Sequence, residues 1–239
     1  MKTALITGAN KGIGFETARQ LAKLGYNVYI GCRNQFKGLE AIEKLKAEGL
    51  NNVDFIEIDI TNISSVHAAK IELENRIQNL DVLINNAGIA GEQPQNISSC
   101  DMQNLRTVFE TNFFGAAQTT QQFINLLKRS EEPRIVNVSS QLASLEVQST
   151  SQNPNHRIYD AYSSSKTALN AFTVLLAREF ENTNFKINCV EPGYTATDLN
   201  NFMGTQTPEQ AAQIIIEYAT LENNGPTGGF FKKDGIVAW

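Results

Sequence analysis

The chain has 239 residues, enough for one large domain or two small ones, and 41% of them are hydrophobic, enough for a substantial core. A net charge of −5 with no basic block argues against nucleic acid or an anionic membrane surface as the main partner. Cys32, Cys100 and Cys189 lack metal-ligand or disulfide-framework spacing, His67 and His156 are the only histidines, and no apolar run is long enough to span a bilayer. These features speak against a metal centre, a Ser-His triad and a membrane protein, and the start Met1-Lys2-Thr3-Ala4 lacks the layout of a signal peptide. The expected setting is the cytoplasm, with free thiols.

In chain order, Thr3 to Thr7 is a short apolar run that reads as a buried strand of a parallel sheet. Gly8-Ala-Asn10-Lys11-Gly12-Ile13-Gly14 follows, then a helical pattern with Phe15, Ala18, Leu21 and Ala22 on its apolar stripe and Gly25 as its stop. Asn27–Gly31 is a second strand, 36–48 a helix, Phe55–Ile60 a third strand, 64–78 a helix and Asp81–Asn85 a fourth strand. A polar loop holding Pro94 leads into a long helix over 100–128, bent near Gly115. Arg134–Val138 is the fifth strand, and 141–158, rich in Ser and Asn with Pro154, reads as a loop. Tyr159–Glu181 is a strong helix and Phe185–Val190 the sixth strand, broken by Glu191-Pro192-Gly193. Thr207-Pro208-Glu209-Gln210 starts a helix with an N-cap threonine, an N1 proline and a capping-box glutamine. Gly228–Lys232 closes the series as a last strand.

Strands and helices alternate from end to end, with no internal repeat or linker. The pattern predicts one α/β domain over 1–239, a Rossmann-type doubly wound parallel sheet of about seven strands with helices on both faces. In such sheets ligands sit beyond the carboxyl ends of the strands, so the residues there carry the chemistry. Gly8, Gly12 and Gly14 lie in the first such turn, where missing Cβ atoms let backbone N–H groups approach a pyrophosphate at a helix N-terminus. A methyltransferase also places a glycine turn here. The second strand ends Tyr29-Ile30-Gly31-Cys32-Arg33, without the carboxylate that accepts a ribose 2′-hydroxyl. Arg33 and Lys11 are instead placed for a 2′-phosphate, which favours NADP(H) over both NAD(H) and two idle surface cations.

Tyr162-Ser-Ser-Ser-Lys166 is the other chemical stretch. On a helix, side chains four apart lie within about 40° around the axis and roughly 6 Å along it. An ammonium that close favours the phenolate, so Lys166 is expected to lower the pKa of Tyr162 toward the range of proton transfer. Taken alone the pair is an ordinary helix face, and its weight comes from the other motifs.

Taken together, Thr7-Gly8-Ala-Asn-Lys-Gly12-Ile-Gly14, Asn85-Asn86-Ala87-Gly88, Thr111-Asn112-Phe-Phe-Gly115, Val136-Asn-Val-Ser139-Ser140, Tyr162-x-x-x-Lys166 and Pro192-Gly193 resemble the short-chain dehydrogenase/reductase family. Within it the chain looks most like the NADPH-dependent carbonyl reductases, as does the end from Gly225 through Trp239. The resemblance implies a catalytic set of Asn112, Ser140, Tyr162 and Lys166. Tyr162 would donate a proton to the carbonyl oxygen, Lys166 would lower its pKa and bind nicotinamide-ribose hydroxyls, and Ser140 would hold the substrate oxygen. Asn112 would hold a water in a proton relay through Lys166. Neighbours on an extended chain face opposite ways, so only one of Ser139 and Ser140 faces the site, and the family's pattern selects Ser140. Gly8, Asn10, Lys11, Gly12, Ile13, Gly14 and Arg33 would bind the cofactor's phosphates. Asp59 and Ile60 would flank adenine, unless Asp59 merely caps a neighbouring backbone. Asn85, Ala87 and Gly88 would line the adenosine, and Pro192, Gly193, Thr195 and Thr197 the nicotinamide and diphosphate. Tyr194 would wall the substrate pocket, and Tyr159 has no lysine four residues on.

The chain departs from the family in spacing. Between Ser140 and Tyr162 lie 21 residues, more than in most oligomeric members and fewer than in the monomeric mammalian carbonyl reductases. The family dimerises through the helices that carry Asn112 and the Tyr-Lys pair, and the extension over 145–158 either covers that face or shapes the pocket. The terminal Val-Asp-Gly-Gly of many tetrameric members is absent, so a monomer or homodimer is expected. The partner expected is a small carbonyl or alcohol substrate. The function expected is NADPH-dependent reduction of a ketone, aldehyde or quinone. The alternatives are a secondary-alcohol dehydrogenase working oxidatively, a non-catalytic NADP-binding regulator, and a methyltransferase, against which the Tyr-Lys pair argues.

Overall fold

The computed structural model describes residues 1–150 and 159–239. Eight strands form one sheet in the order β3-β2-β1-β4-β5-β6-β7-β8. They are β1 (Thr3–Thr7), β2 (Asn27–Cys32), β3 (Val53–Glu57), β4 (Val82–Asn85), β5 (Arg134–Val138), β6 (Lys186–Val190), β7 (Phe230–Lys232) and β8 (Gly235–Ile236). The first seven pair in parallel, so their connections cross over through helices. The eighth, absent from the sequence reading, folds back antiparallel on β7, pairing Phe231 with Ile236. Two residues are too short a run to show a period, which hides this hairpin in the sequence.

Strands β1, β4 and β5 are buried along their whole length, and two cores lie against the sheet. Helices α1 (Gly12–Lys23), α2 (Gln35–Ala47) and α8 (Pro208–Ala219) cover one face, through Leu21, Leu45 and Ile215. Helices α3 (Ile63–Glu74), α5 (Gly115–Leu127) and α7 (Asp160–Glu179) cover the other, through Leu73, Phe123 and Ala177. Gly25 stops α1 at a φ of +84°, a conformation that favours glycine. Thr207 and Gln210 form the expected reciprocal cap of α8 around Pro208. Among the described residues no helix is long and apolar enough to cross a membrane.

Two elements differ from the sequence reading. The long helix is three pieces: α4 (Met102–Phe109), a π-helical turn (Glu110–Phe114) and α5. The distortion expected near Gly115 is thus a wide turn centred on Asn112. The stretch read as loop after Ser140 holds a 3₁₀ turn (Gln141–Ala143) and α6 (Leu145–Thr150). The remainder of that extension, with Pro154 and His156, lies outside the described residues.

The strand order changes direction at β1, whose neighbours are β2 and β4. Chain from β1 leaves toward one face and chain from β4 toward the other, which opens a crevice beyond their carboxyl ends.

Candidate active site

The crevice begins at the glycine turn. Gly8 and Gly12 have φ of +65° and +58°, and a Cβ on Gly8 would stand 2.8 Å from the Ala87 Cα. A Cβ on Gly14 would press on the Asn86 side chain and stand 2.8 Å from the Gly8 carbonyl oxygen. Side chains are therefore excluded at Gly8 and Gly14, which leaves a backbone cradle at the start of α1. Thr7 and Asn86 hold it together. The Asn86 and Ala87 N–H groups both donate to the Thr7 Oγ1 at 3.1 Å, and the Asn86 Nδ2 donates to the Thr7 carbonyl at 2.9 Å. Neither side chain figured in the expected site. The signal was there: two motif residues at the ends of neighbouring strands. Asn10 and Ile13 are part-buried in this turn.

Arg33 is exposed just past the end of β2. Lys11 is exposed too, but its Nζ lies 3.1 Å from the Asp198 carboxylate, so a phosphate would compete with an existing partner. The two cations and the missing acidic residue at the end of β2 fit a 2′-phosphorylated dinucleotide, and the glycine cradle fits its diphosphate.

Three expected cofactor residues are engaged otherwise. Asn85 is buried, and its side chain turns into the sheet, where Nδ2 donates to Thr120 Oγ1 at 2.9 Å and Asn137 Oδ1 at 2.8 Å. The amide thus bridges helix and sheet, and only the backbone of Asn85 faces the crevice end. Asp59 caps its own neighbour, accepting from the Thr61 N–H at 3.0 Å and the Thr61 hydroxyl at 2.7 Å. Ile60 is buried against Gly115, where a Cβ would stand 3.0 Å from its Cγ1.

Asn112 is fixed on three sides. Its Oδ1 accepts from the Ile89 N–H at 2.9 Å, and its Nδ2 donates to the Ile89 carbonyl at 2.9 Å and the Ser165 hydroxyl at 3.0 Å. A Cβ on Gly88 would stand 3.3 Å from the Asn112 Oδ1 and 3.5 Å from the Lys166 Nζ, so both converge on this bare backbone.

Strand β5 and helix α7 bring the remaining groups together. Ser139 and Ser140 face opposite ways, as alternation requires. The Ser139 hydroxyl is buried and donates to Asn170 Oδ1 at 2.7 Å, away from the site. The Ser140 hydroxyl hydrogen-bonds that of Tyr162 and also accepts from the Leu142 N–H at 3.2 Å. Lys166 is buried and donates to the Val138 carbonyl at 2.7 Å, with Nζ 5.9 Å from the centre of the Tyr162 ring. Gln95, wholly buried and unforeseen, accepts from the Tyr162 N–H at 3.1 Å and donates to the Ala90 carbonyl at 2.7 Å, anchoring the start of α7.

One expectation is corrected here. Tyr162 is not acidified: burial pushes its phenol up to about 12, the Ser140 hydrogen bond pulls it down, and the Glu191 carboxylate pushes it up. Lys166 fails to lower it because the ammonium points at the Val138 carbonyl and addresses the face of the ring. Burial also lowers Lys166 itself to about 8. The phenol is protonated at neutral pH, as any phenol is, and burial makes it a weaker acid in the unliganded chain.

The Pro192-Gly193 turn faces this group across the sheet. Gly193 has a φ of +86°, and a Cβ there would strike the Gln206 side chain. That side chain donates to the Pro192 carbonyl and, at 3.1 Å, to the Thr195 Oγ1. Thr197 caps a 3₁₀ turn (Asp198–Asn200), and its methyl is 3.5 Å from where a Gly12 Cβ would be, so the turn abuts the glycine cradle. Tyr194 is 52% exposed beside it, open for contact with a ligand.

This arrangement of cradle, cations and buried Ser-Tyr-Lys cluster has counterparts among known proteins. A family model described as short chain dehydrogenase matches residues 2–208. The chain is 33% identical to (-)-isopiperitenone reductase of Mentha piperita, covering 98% of this chain and 97% of that protein. That alignment runs over 309 positions against 239 residues here, so the relative carries segments this chain lacks. It is 30% identical to mouse carbonyl reductase [NADPH] 1, covering 99% and 98% of the two chains. Among solved structures, salutaridine reductase from Papaver somniferum superposes with a TM-score of 0.85 at 29% identity, covering 98% of this chain and all of that one. The NADPH-bound carbonyl reductase from chicken fatty liver gives 0.85 at 25% identity, covering 100% and 99%. On its fold, its strand-end motifs and a family match over most of its length, the chain belongs to the short chain dehydrogenase family.

Proposed function

We propose that the chain, working as one domain over residues 1–239, is an NADPH-dependent reductase of a ketone, aldehyde or quinone, with Tyr162 as the proton donor. The observation that carries this reading is the Ser140–Tyr162 hydroxyl pair beside the buried Lys166. The likeness to two carbonyl reductases associated with NADPH supports it. A regulator that only bound the cofactor would have no use for burying a lysine and a tyrosine together, since burial works against charge on both.

The residues divide the work by position. The backbone of Gly8, Asn10, Gly12, Ile13 and Gly14 would take the diphosphate, and Arg33 and Lys11 the 2′-phosphate. Asp59, Ile60, Asn85, Ala87 and Gly88 would border the adenosine, three of them through backbone or packing only. Pro192, Gly193, Thr195 and Thr197 would border the nicotinamide end. The reduced dinucleotide, when bound, supplies hydride. Ser140 orients the carbonyl oxygen and stabilises negative charge as it grows there. Tyr162 gives that oxygen its proton. Lys166 supplies positive charge beside the ring and a donor for ribose hydroxyls. Asn112, fixed by Ile89 and Ser165, shapes the path by which the proton is replaced.

The chain is read as a monomer or homodimer, and Phe114 and Leu175, 50% and 54% exposed, lie on the helices through which the family dimerises. The test of the function is NADPH oxidation followed at 340 nm (about the absorbance of any reduced nicotinamide) over a panel of ketones, aldehydes and quinones. Turnover with at least one class, and none with NADP⁺ and simple secondary alcohols at neutral pH, is expected. Cofactor binding without turnover on any class would replace this reading with that of a regulator.

A further inference from the structure

The loop that follows β4 meets the candidate site at three successive residues. Gly88 is the bare backbone on which Asn112 and Lys166 converge, a Cβ there standing 3.3 Å from the Asn112 Oδ1 and 3.5 Å from the Lys166 Nζ. Ile89 gives its N–H and its carbonyl to the Asn112 amide, each at 2.9 Å. Ala90 gives its carbonyl to Gln95 Nε2 at 2.7 Å. The loop then turns back on itself at Gly91, whose φ is +82° and where a Cβ would stand 3.1 Å from that Nε2 and press on Val108. Gln95 is thereby folded under its own loop and wholly buried.

Tyr162 hangs on this loop by both of its backbone groups. It is the third residue of α7, where an N–H has no acceptor within the helix, and the N-cap Tyr159 offers no side chain to it. Gln95 Oε1 accepts that N–H at 3.1 Å from 67 residues away. The Tyr162 carbonyl accepts from the Ser165 hydroxyl at 2.7 Å, and the same hydroxyl accepts from Asn112 Nδ2 at 3.0 Å. One chain of bonds therefore runs from Ala90 through Gln95 to the Tyr162 N–H, and another from Ile89 through Asn112 and Ser165 to the Tyr162 carbonyl. A further tie, from the Ile97 N–H to Asp160 Oδ2 at 3.0 Å, joins the end of the loop to the first residue of α7. Ala90 needs a donor and Tyr162 an acceptor, and an amide side chain supplies both at once.

We propose that Gln95 is a positioning residue for Tyr162, holding the backbone of the proton donor in register with the loop whose Gly88 borders the cofactor. Proton donor and cofactor then share one reference. A slip between them is costly, since a misplacement of about 1 Å can cost ~10²-fold in rate. The inference rests on the function proposed above and adds to it a residue that acts through Tyr162 alone.

The experiment compares the protein with Gln95→Met, which fills the space and breaks both ties, Gln95→Asn, which keeps the amide on a shorter arm, and Asn104→Ala. Asn104 ties the same loop to α4, its Nδ2 donating to the Glu92 carbonyl at 2.7 Å and its Oδ1 accepting from the Glu92 N–H at 2.9 Å, and it lies outside both chains to Tyr162. The first readout needs no turnover. Hydrogen exchange is followed by NMR at the Tyr162 amide and at that of Ser163, which has its acceptor next to the helix start, the Tyr159 carbonyl at 2.8 Å. Gln95→Met should speed exchange at Tyr162 by at least about fivefold over any change at Ser163. No change at Tyr162, or an equal change at both amides, overturns the proposal.

The second readout is kinetic. Gln95→Met should lower kcat for carbonyl reduction about tenfold while the KM for the carbonyl and the affinity for NADPH stay within about threefold, and Gln95→Asn should fall between it and the wild type. Asn104→Ala, which loosens the loop without releasing Tyr162, should lower the melting temperature and keep kcat within about twofold. An unchanged kcat despite a released Tyr162 amide overturns the proposal. So does a kcat loss in Asn104→Ala as large as that in Gln95→Met, since any loosening of the loop would then slow the enzyme. Gln95→Asn carries both readouts if Gln95→Met does not fold, and failure of both to fold would leave Gln95 serving the fold alone and overturn the proposal. Selective release of the Tyr162 amide in a protein whose wild type reduces no carbonyl would uphold the tie and sink the function.

Discussion

The crevice has two ends, and they handle charge in opposite ways. At the β2 end, the cations proposed for a phosphate, Arg33 past β2 and Lys11 in the glycine turn, are exposed, Lys11 beside Asp198. At the β5–β6 end, the cation is Lys166, buried with its Nζ on the Val138 carbonyl and beside the Tyr162 ring, and lowered to about 8. Exposed charge costs the fold almost nothing and binds weakly until a multiply charged partner arrives. Buried charge costs stability before any ligand arrives and acts strongly when it does, because little water screens it. The first end is suited to recognition, and the second to chemistry. Each prediction below tests that division.

The sharpest test is Tyr162→Phe. If the buried end does the chemistry, removing one oxygen should cut kcat by about 10³-fold, within the span of general acid catalysis. NADPH affinity, measured by quenching of protein fluorescence, should change by less than about threefold, because the recognition end is untouched. Near-normal turnover would dismiss Tyr162 as the acid.

Lys166→Met tests the cost of the buried end. The shift from an ordinary 10.5 to about 8 corresponds to about 3 kcal/mol of destabilisation at neutral pH, less about 1 kcal/mol once the Val138 carbonyl loses its donor. The variant should therefore be inactive yet melt several degrees higher. The pH dependence has a definite sign. Below pH 8 the folded lysine is charged and the full cost is present. As pH rises past 8, the folded chain lets the proton go while the unfolded chain still holds it, so the wild type gains stability relative to the variant. The melting gap should shrink from about pH 8 to about pH 10.5, between the folded and the ordinary value of the lysine. Tyr162 and Cys189, both raised to about 12, titrate in wild type and variant alike and so largely cancel from the gap. A variant less stable than the wild type at pH 7 would mean that the lysine is a structural asset.

The same division explains what could be read from the sequence. Gly8, Gly12 and Gly14 were legible because a backbone cradle leaves its mark as missing side chains at fixed spacing, and the structure gives two of them positive φ. Tyr162 and Lys166 were legible as a pair because helical spacing alone puts them on one face. Their protonation was not, since it depends on burial and on where Nζ points. The Val138 carbonyl that captures it lies 28 residues away in sequence. Asn85 looked like a strand-end ligand, and only its partners Thr120 and Asn137, 35 and 52 residues on, show that it is a sheet-core amide. Gln95 escaped notice for the same reason: it acts through backbone groups that no side-chain pattern marks. The bend of the long helix was expected near Gly115, and the resemblance set Asn112 at a distortion of it; that the distortion is a π-helical turn over Glu110–Phe114 depends on backbone hydrogen bonding that residue spacing does not mark.

At the recognition end, Arg33→Ala should weaken NADPH binding about tenfold, as expected for one charge-assisted contact, and leave NADH binding unchanged. Melting temperature should not move, because Arg33 is exposed. Equal catalytic efficiency with NADH and NADPH that Arg33→Ala does not alter would remove Arg33 from phosphate recognition and with it half of the contrast between the two ends.

The smallest expected effect falls on Asp198→Asn. Its carboxylate holds Lys11 at 3.1 Å with side chains 52% and 60% exposed, a pair of the kind worth about 0.2–1 kcal/mol. A 2′-phosphate must draw Lys11 from that partner, so neutralising Asp198 should tighten NADPH by no more than about fivefold and leave NADH alone. The gain should fade at high salt, where both the pair and its replacement are screened. Weaker NADPH binding would carry a different lesson: Asp198 would then be supporting the Thr197 turn against Gly12, and the exposed end would depend on side-chain architecture as much as the buried one.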